Sequence, residues 1–361
     1  MEENKRYVGI DLGKRSMELR FIDSDNKITS WNCKTDMEGR SRLLSRLSKE
    51  DLVGIEACSL GFVIAREIIK KTRAKVLVLN PGRLAVIFKS TVKTDAVDAL
   101  KIARLLQRIP EEELPVVSIP SQKEERDRSI VSEEAFLKNK RTDMINRLHS
   151  IFMRTGIATV KKSDLKTKKK RDKTVTLLKG RFIEEAERLV NIIDLFEEQL
   201  EGIDEEVTKS LEDNELTKYV SSPVGIGPKT SMAFLAFIGD GSRFDEAKQV
   251  SNYVGFVPKV YISGKTEHYG RITKRGCSFI RRVAIQAAWA HVRFCPDSAL
   301  TEKYNRLYPY KGKKKAIVAI ARMLVELMWF LARNKAYFLS GSELKIRKRG
   351  KTAENLEEVA C

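Results

Sequence analysis

Alternating apolar and polar positions open the chain. Val8 and Ile10 alternate ahead of Asp11, so residues 6–13 predict a buried strand, with Gly13 allowing close backbone approach. Residues 17–22 alternate again, Asp23-Ser24-Asp25-Asn26 is a turn, and residues 27–32 predict a third strand of an antiparallel meander. The period then becomes helical over 38–49, with Leu43, Leu44 and Leu47 on one side. Residues 52–56 predict a short buried strand ending in Glu56, and 62–72 a helix. Residues 75–80 predict a strand stopped by Pro81, and 95–107 a helix carrying Val97, Leu100, Ile102, Ala103 and Leu106.

The order βββαβαβ followed by a helix predicts an RNase H-like (RuvC-like) α/β domain over residues 1–109. Residues 110–135 are charged and proline-bearing and read as a linker leading into helix, and helical spacing returns over 132–154 with Phe136, Met144, Leu148, Ile151 and Phe152. The run 161–173 holds eight Lys or Arg against two Asp, which fits either a solvated, disordered tether or a phosphate-binding arm. Residues 175–212 predict one long helix. Leu178, Phe182, Leu189, Ile193, Phe196, Leu200 and Ile203 follow one another by threes, fours and a seven, as in a coiled-coil seam. The linker and long helices span 110–215, and the seam can pair within the chain or between chains. A mainly helical second domain is expected over 216–340, including a strongly apolar helix at 314–332, and a basic disordered tail over 341–361.

Charge narrows the partner. The 361 residues carry 68 Lys and Arg against 49 Asp and Glu, a net charge of +19, which points to a polyanion and first to nucleic acid. No apolar run is long enough to span a bilayer and the first residues form no apolar signal region, so no membrane partner and a cytoplasmic (nucleoid-associated) location are expected. Five scattered cysteines without a CxxC pair, and three dispersed histidines, argue against a zinc site or a disulfide framework.

The candidate chemistry lies in two places. Asp11 and Glu56 end buried strands, where functional groups of open α/β sheets gather, and Asp95 and Asp98 share one helix face. Four acids converging there would hold hard divalent cations, Mg²⁺ first. Taken singly, Asp95 could instead cap its helix and Asp98 could be a solvated surface residue. In the second domain, Gly225 and Gly227 with Lys229 form a Gly-x-Gly turn opening a helix. That is a helix-hairpin-helix-like grip on a phosphate backbone, or an ordinary tight turn. Ser263 beside Gly264 reads as a loop serine in a cationic setting, with Lys265, Arg271, Lys274, Arg275 and Arg281 around it. Composition alone leaves it either a nucleophile or a turn serine, with the turn serine ahead.

These stretches resemble a known family. Tyr7-Val8-Gly9-Ile10-Asp11, Gly54-Ile55-Glu56 and Lys93-Thr94-Asp95-Ala96-Val97-Asp98-Ala99 are similar to the RuvC-like DEDD domain of insertion-sequence 110 family transposases. Val224-Gly225-Ile226-Gly227, Phe256-Val257-Pro258, Ser263-Gly264 and Gly270-Arg271-Ile272-Thr273-Lys274-Arg275-Gly276 resemble that family's carboxyl-terminal transposase domain, and Piv-type DNA invertases share both blocks. The resemblance implies a DNA recombinase of a mobile element that works with a structured guide (bridge) RNA on element-end and target DNA. It implies that Asp11, Glu56, Asp95 and Asp98 hold Mg²⁺, with Mn²⁺ as a substitute, and that Ser263 forms a phosphoserine link to DNA. It also implies a homo-oligomer, a dimer or tetramer, with composite active sites. Gly225, Gly227, Lys229, Lys265, Arg271, Lys274, Arg275 and Arg281 are the expected nucleic-acid contacts. A metal-dependent junction resolvase and a site-specific invertase without guide RNA remain the alternatives.

Overall fold

The period-two stretches at the start of the chain form three antiparallel strands, β1 (Arg6–Leu12), β2 (Ser16–Ile22) and β3 (Ile28–Lys34), in register Asp11↔Glu18 and Leu19↔Trp31. The structure is a computed structural model that describes residues 5–87, 94–263 and 266–341. Next come α1 (Met37–Arg46), β4 (Asp51–Glu56), α2 (Ser59–Thr72) and β5 (Lys75–Leu79). Strand β4 lies parallel to both β1 and β5. Pro81 ends β5 as expected and also opens a short helix, α3 (Pro81–Ile87), a first-turn position that tolerates its missing N–H. Helix α4 spans Asp95–Arg108.

A sixth strand, β6 (Val116–Val117), pairs antiparallel with β5 and completes the sheet order β3-β2-β1-β4-β5-β6. Two residues are too short a run to carry a periodicity, so this strand was invisible in the expected linker. It takes the first compact unit past residue 109 to Ser121. The sheet buries both faces. Val8, Ile10, Leu19, Val53, Ile55 and Val78 pack with Leu43, Ile64 and Ile68 on one side. Leu52, Leu77 and Leu79 pack with Ile102, Leu105 and Leu106 of α4 on the other.

The second unit, from Gln122, is mainly helical. Its first helix, α5 (Gln122–Arg154), starts well before the expected position because its first turns are polar and bury little beyond Asp127, Ile130 and Val131. Helices α6 (Lys168–Val175) and α7 (Arg181–Glu212) follow. The coiled-coil seam closes within the chain: Ile145, Leu148, Ile151 and Phe152 of α5 share a core with Ala186 and Ile193 of α7.

The basic run 161–173 corrects an expectation. It is ordered, a short 3-10 turn at Lys162–Leu165 followed by α6, so the disordered tether falls while most of its Lys side chains stay exposed. Arg171 is fully buried, donates to Glu197 Oε2 at 2.9 Å and to the Leu165 carbonyl at 3.3 Å, and is ion-paired with Asp194. Its neutralising acids lie on α7, so counting charge within the run could not find them.

The remaining elements are α8 (Thr217–Val220), α9 (Pro228–Phe237), α10 (Ala247–Val254), the hairpin β7 (Pro258–Ser263) and β8 (Thr266–Ile272), then α11 (Ser278–Phe294), α12 (Ala299–Lys311) and α13 (Lys313–Asn334). Helix α13 is the apolar core helix its sequence predicts, with Ile320, Ala321, Leu324 and Val325 fully buried. Among the described residues no helix is long and apolar enough to cross a membrane. Most of the expected basic tail, residues 342–361, lies outside the described residues.

Candidate active site

Two glycines position the acids. Gly9 and Gly54 are paired in register across β1 and β4. A Cβ on Gly9 would stand 2.0 Å from the Ala99 carbonyl oxygen, and one on Gly54 would stand 2.6 Å from Ile102 Cγ2. Helix α4 therefore settles into a groove that no larger residue would leave open, with Ala99 and Ala103 buried in it. Side chains alternate along a strand, so Asp11 and Glu56, each two residues beyond its glycine, project from the face that α4 covers. Two strand residues advance about 6.6 Å and one helical turn about 5.4 Å. Asp95, roughly one turn ahead of Ala99, thereby comes level with the strand ends.

The electrostatics report the same convergence. The Asp11 carboxyl is pushed up to about 6, first by its partial burial and then by the charges of Asp95, Asp98 and Glu56. Three acids from two other elements thus act on one carboxylate. The helix cap does not occupy Asp95: Thr94 caps α4, its hydroxyl accepting from the Val97 N–H at 3.3 Å. Asp98 has a partial countercharge in Lys101, at 2.7 Å. Sequence reading missed Thr94, Lys101 and also Glu18, which faces Asp11 across β1 and β2 and pairs with Arg20 at 3.1 Å. Only the strand register reveals Glu18 as a neighbour.

Among the described residues no group of three or more His, Cys, Asp or Glu is placed to hold a metal ion. The sign that the four acids are neighbours is the effect of Asp95, Asp98 and Glu56 on Asp11. Their donor set still fits a hard divalent cation, because four carboxylates offer only oxygen and their mutual repulsion is what a cation relieves.

The second unit carries the other expected residues. Gly225 has φ +92° and lies against α11, where a Cβ would meet the Ala287 carbonyl and the His291 N–H at 2.7 Å each. Gly227 is the cap of α9, and a Cβ there would meet nothing within 4 Å. Buried His291 holds this turn: Nδ1 donates to the Val224 carbonyl at 2.7 Å, which leaves Nε2 to accept from Ser298 Oγ at 2.8 Å. Burial pushes the His291 pKa down, in keeping with a neutral ring. Lys229 lies at the start of α9 and bridges Glu134 of α5, at 2.8 Å, and Asp204 of α7, at 2.6 Å. Its ammonium is engaged inside the unit. Arg281 is likewise drawn inward, donating to the Val254 carbonyl at 2.6 Å and the Gly276 carbonyl at 3.1 Å. Arg271, Lys274 and Arg275 are largely accessible at the surface.

The expected loop around Ser263 is a hairpin, which corrects the reading of that stretch. Ser263 closes β7 and pairs with Thr266 of β8. The strand escaped notice because Val260, Tyr261 and Ile262 are apolar in succession and all exposed, so no alternation marks them. Lys265, with Gly264, lies outside the described residues, as does Lys93 ahead of Thr94.

Both halves have known counterparts. Residues 8–156 match the DEDD transposase domain of the IS110 group, and residues 217–305 match the family described as "Transposase IS116/IS110/IS902 family". The chain is 21% identical to a "Probable family 20 transposase" of Pseudomonas aeruginosa, with 94% of this chain and 100% of the relative aligned. It is 23% identical to the transposase for insertion sequence element IS1111A of Coxiella burnetii, over 92% of this chain and 91% of the relative. A pilin gene-inverting protein of Moraxella lacunata is 33% identical over 32% of this chain and 36% of its own length. An acid-bearing α/β unit followed by this helical unit is the make-up of a transposase, an enzyme that cuts and rejoins DNA. The chain belongs to the IS110/IS116/IS902 transposase family, to which the pilin gene-inverting proteins are related.

Proposed function

We propose that the chain moves its element by cutting and rejoining DNA with chemistry that draws on both the acid quartet and Ser263. The observation that carries this reading is Asp11, whose carboxyl is raised to about 6 by its burial and by Asp95, Asp98 and Glu56. A carboxyl raised first by burial and then by three neighbouring acids is a candidate cation ligand. Asp11, Glu56, Asp95 and Asp98 would hold Mg²⁺ or Mn²⁺, which when bound supplies Lewis-acid activation of the scissile phosphate. The sheet order, an antiparallel β3-β2-β1 flank continued by parallel β4 and β5, supports an RNase H-like frame for these acids.

In the proposed step Ser263 Oγ attacks the phosphorus. One P–O bond to the strand breaks as the P–Oγ bond forms, and the proton leaving Oγ balances the one taken up by the departing strand oxygen. Attack by another strand's hydroxyl reverses this and releases the serine, so no external energy source is needed. Arg271, Lys274 and Arg275, accessible at the surface, are proposed to bind phosphates near the hairpin. The net charge of +19 supports a nucleic-acid partner; a guide RNA and assembly into a dimer or tetramer enter the proposal from the family resemblance alone.

The test is incubation of the protein with element-end DNA and Mg²⁺, followed by denaturation and a search for a covalent protein–DNA adduct. The adduct is expected in the parent and absent in Ser263→Ala. Recombination that persists in Ser263→Ala would refute the serine step, leaving metal-only cleavage.

A further inference from the structure

The carboxyl-terminal face of the second unit carries a patch that runs beyond residue 305, where the family match stops. Trp289 meets Tyr304 edge-on at 5.9 Å, and Tyr304 stacks on Tyr308 at 5.9 Å with 15° between the rings. Tyr304 is buried, which fixes the stack, while Tyr308 is half exposed and Tyr310 is 87% exposed. Lys313 sits over the Trp289 ring at 5.4 Å. From Lys303 to Lys315 there are six Lys or Arg and no acid. Among the described residues none of Lys303, Arg306, Lys311, Lys313, Lys314 and Lys315 has an ion-pair partner.

We infer that this face binds a single-stranded stretch of the DNA, with Tyr308 and Tyr310 stacking on unpaired bases and the flanking cations following the phosphates. Exposed aromatic rings among unpaired cations are the composition of a strand-binding surface. Stacking works on any base, and the rings cannot reach the bases of an intact duplex. A protein partner is disfavoured by six uncompensated cations, since interface cores are depleted of lysine. The inference rests on the proposed function in one respect. An enzyme that cuts strands and joins them to new partners must hold them unpaired in between.

The experiment uses the full chain and fluorescein-labelled oligo-dT, oligo-U and a mixed-sequence duplex, read by fluorescence anisotropy. Oligo-dT is expected to bind more tightly than the duplex. Tyr310→Ala and Tyr308→Ala are each expected to weaken oligo-dT binding by about five- to a hundredfold, while Tyr310→Phe keeps it because the ring remains. Lys314→Glu should weaken binding and flatten its salt dependence. Unchanged oligo-dT affinity in Tyr310→Ala overturns the inference, as does equal preference for the duplex. A preference for oligo-U over oligo-dT overturns its assignment to DNA. Tyr310→Ala that changes the sedimentation coefficient but not strand affinity makes the face a protein interface and overturns it as well. Asp11→Ala separates the two readings: it should bind oligo-dT as the parent does. Cleavage by Asp11→Ala would count against the proposed function alone.

Discussion

The acid quartet and the α6–α7 junction treat charge in opposite ways. At the junction, buried Arg171 meets Asp194 and Glu197, Lys168 meets Asp194 at 3.0 Å, and the Asp194 pKa is lowered, with these cations outweighing the effect of its burial. At the quartet, the Asp11 pKa is raised by its burial and then by Asp95, Asp98 and Glu56, while Lys101 pairs with Asp98. One cluster uses charge to hold the fold. The other sets like charges near one another at a partly exposed position, where only Asp98 has an ion-pair partner among the described residues.

The largest effect is expected from Asp11→Asn, which should lower DNA cleavage roughly a thousandfold, the scale of losing a metal's transition-state stabilisation. The same variant should unfold at higher temperature than the parent near neutral pH, by about 1 kcal/mol once the half-exposure of the site is allowed for. A loss of stability would mean that the carboxylate is satisfied in the folded chain. Arg171→Ala should do the reverse. It leaves two carboxylates without their cation and should destabilise by about 3 kcal/mol in urea denaturation, while adding nothing to cleavage chemistry.

Gly9→Ala tests the link between packing and charge. Its Cβ would stand 2.0 Å from the Ala99 carbonyl, so α4 must shift, at about 1–3 kcal/mol. As α4 moves away, the Asp11 pKa should fall back toward the ordinary carboxylate value, which NMR titration of the side-chain carboxyl reads. A stability loss with no change at Asp11 would detach the groove from the site.

The pH dependence follows from the sign of the Asp11 shift. Between about 3.8 and about 6 the folded chain keeps a proton that the unfolded chain has lost, so this group's contribution to stability falls as pH rises through that window. Asp11→Asn should flatten that slope in thermal denaturation. The smallest effect belongs to Thr94→Ala, which removes the α4 cap and should lower stability by about 1 kcal/mol.

The sheet and the acids were legible because they follow simple periods. Strand alternation placed Asp11 and Glu56 at strand ends, and helical spacing placed Asp95 and Asp98 together. What stayed hidden depends on partners far away in sequence. Arg171 looked solvated because its acids lie on another helix, and Lys229 looked free because Glu134 and Asp204 lie on two other helices. Glu18 became a neighbour of Asp11 only through the register of β1 and β2. The hairpin bearing Ser263 was missed because Val260, Tyr261 and Ile262 are all exposed, so burial wrote no alternation into it. The family resemblance assigned Ser263 a role that its own surroundings in the sequence did not.

If the proposed cation site exists, a divalent cation must relieve the effect of Asp95, Asp98 and Glu56 on Asp11. Carboxyl NMR titration of Asp11, with and without Mg²⁺ and in Asp95→Asn, tests it most directly. A midpoint near 6 is expected, dropping when Mg²⁺ is added and moving down in Asp95→Asn. An Asp11 that titrates like an ordinary carboxylate, indifferent to Mg²⁺ and to Asp95→Asn, would contradict it.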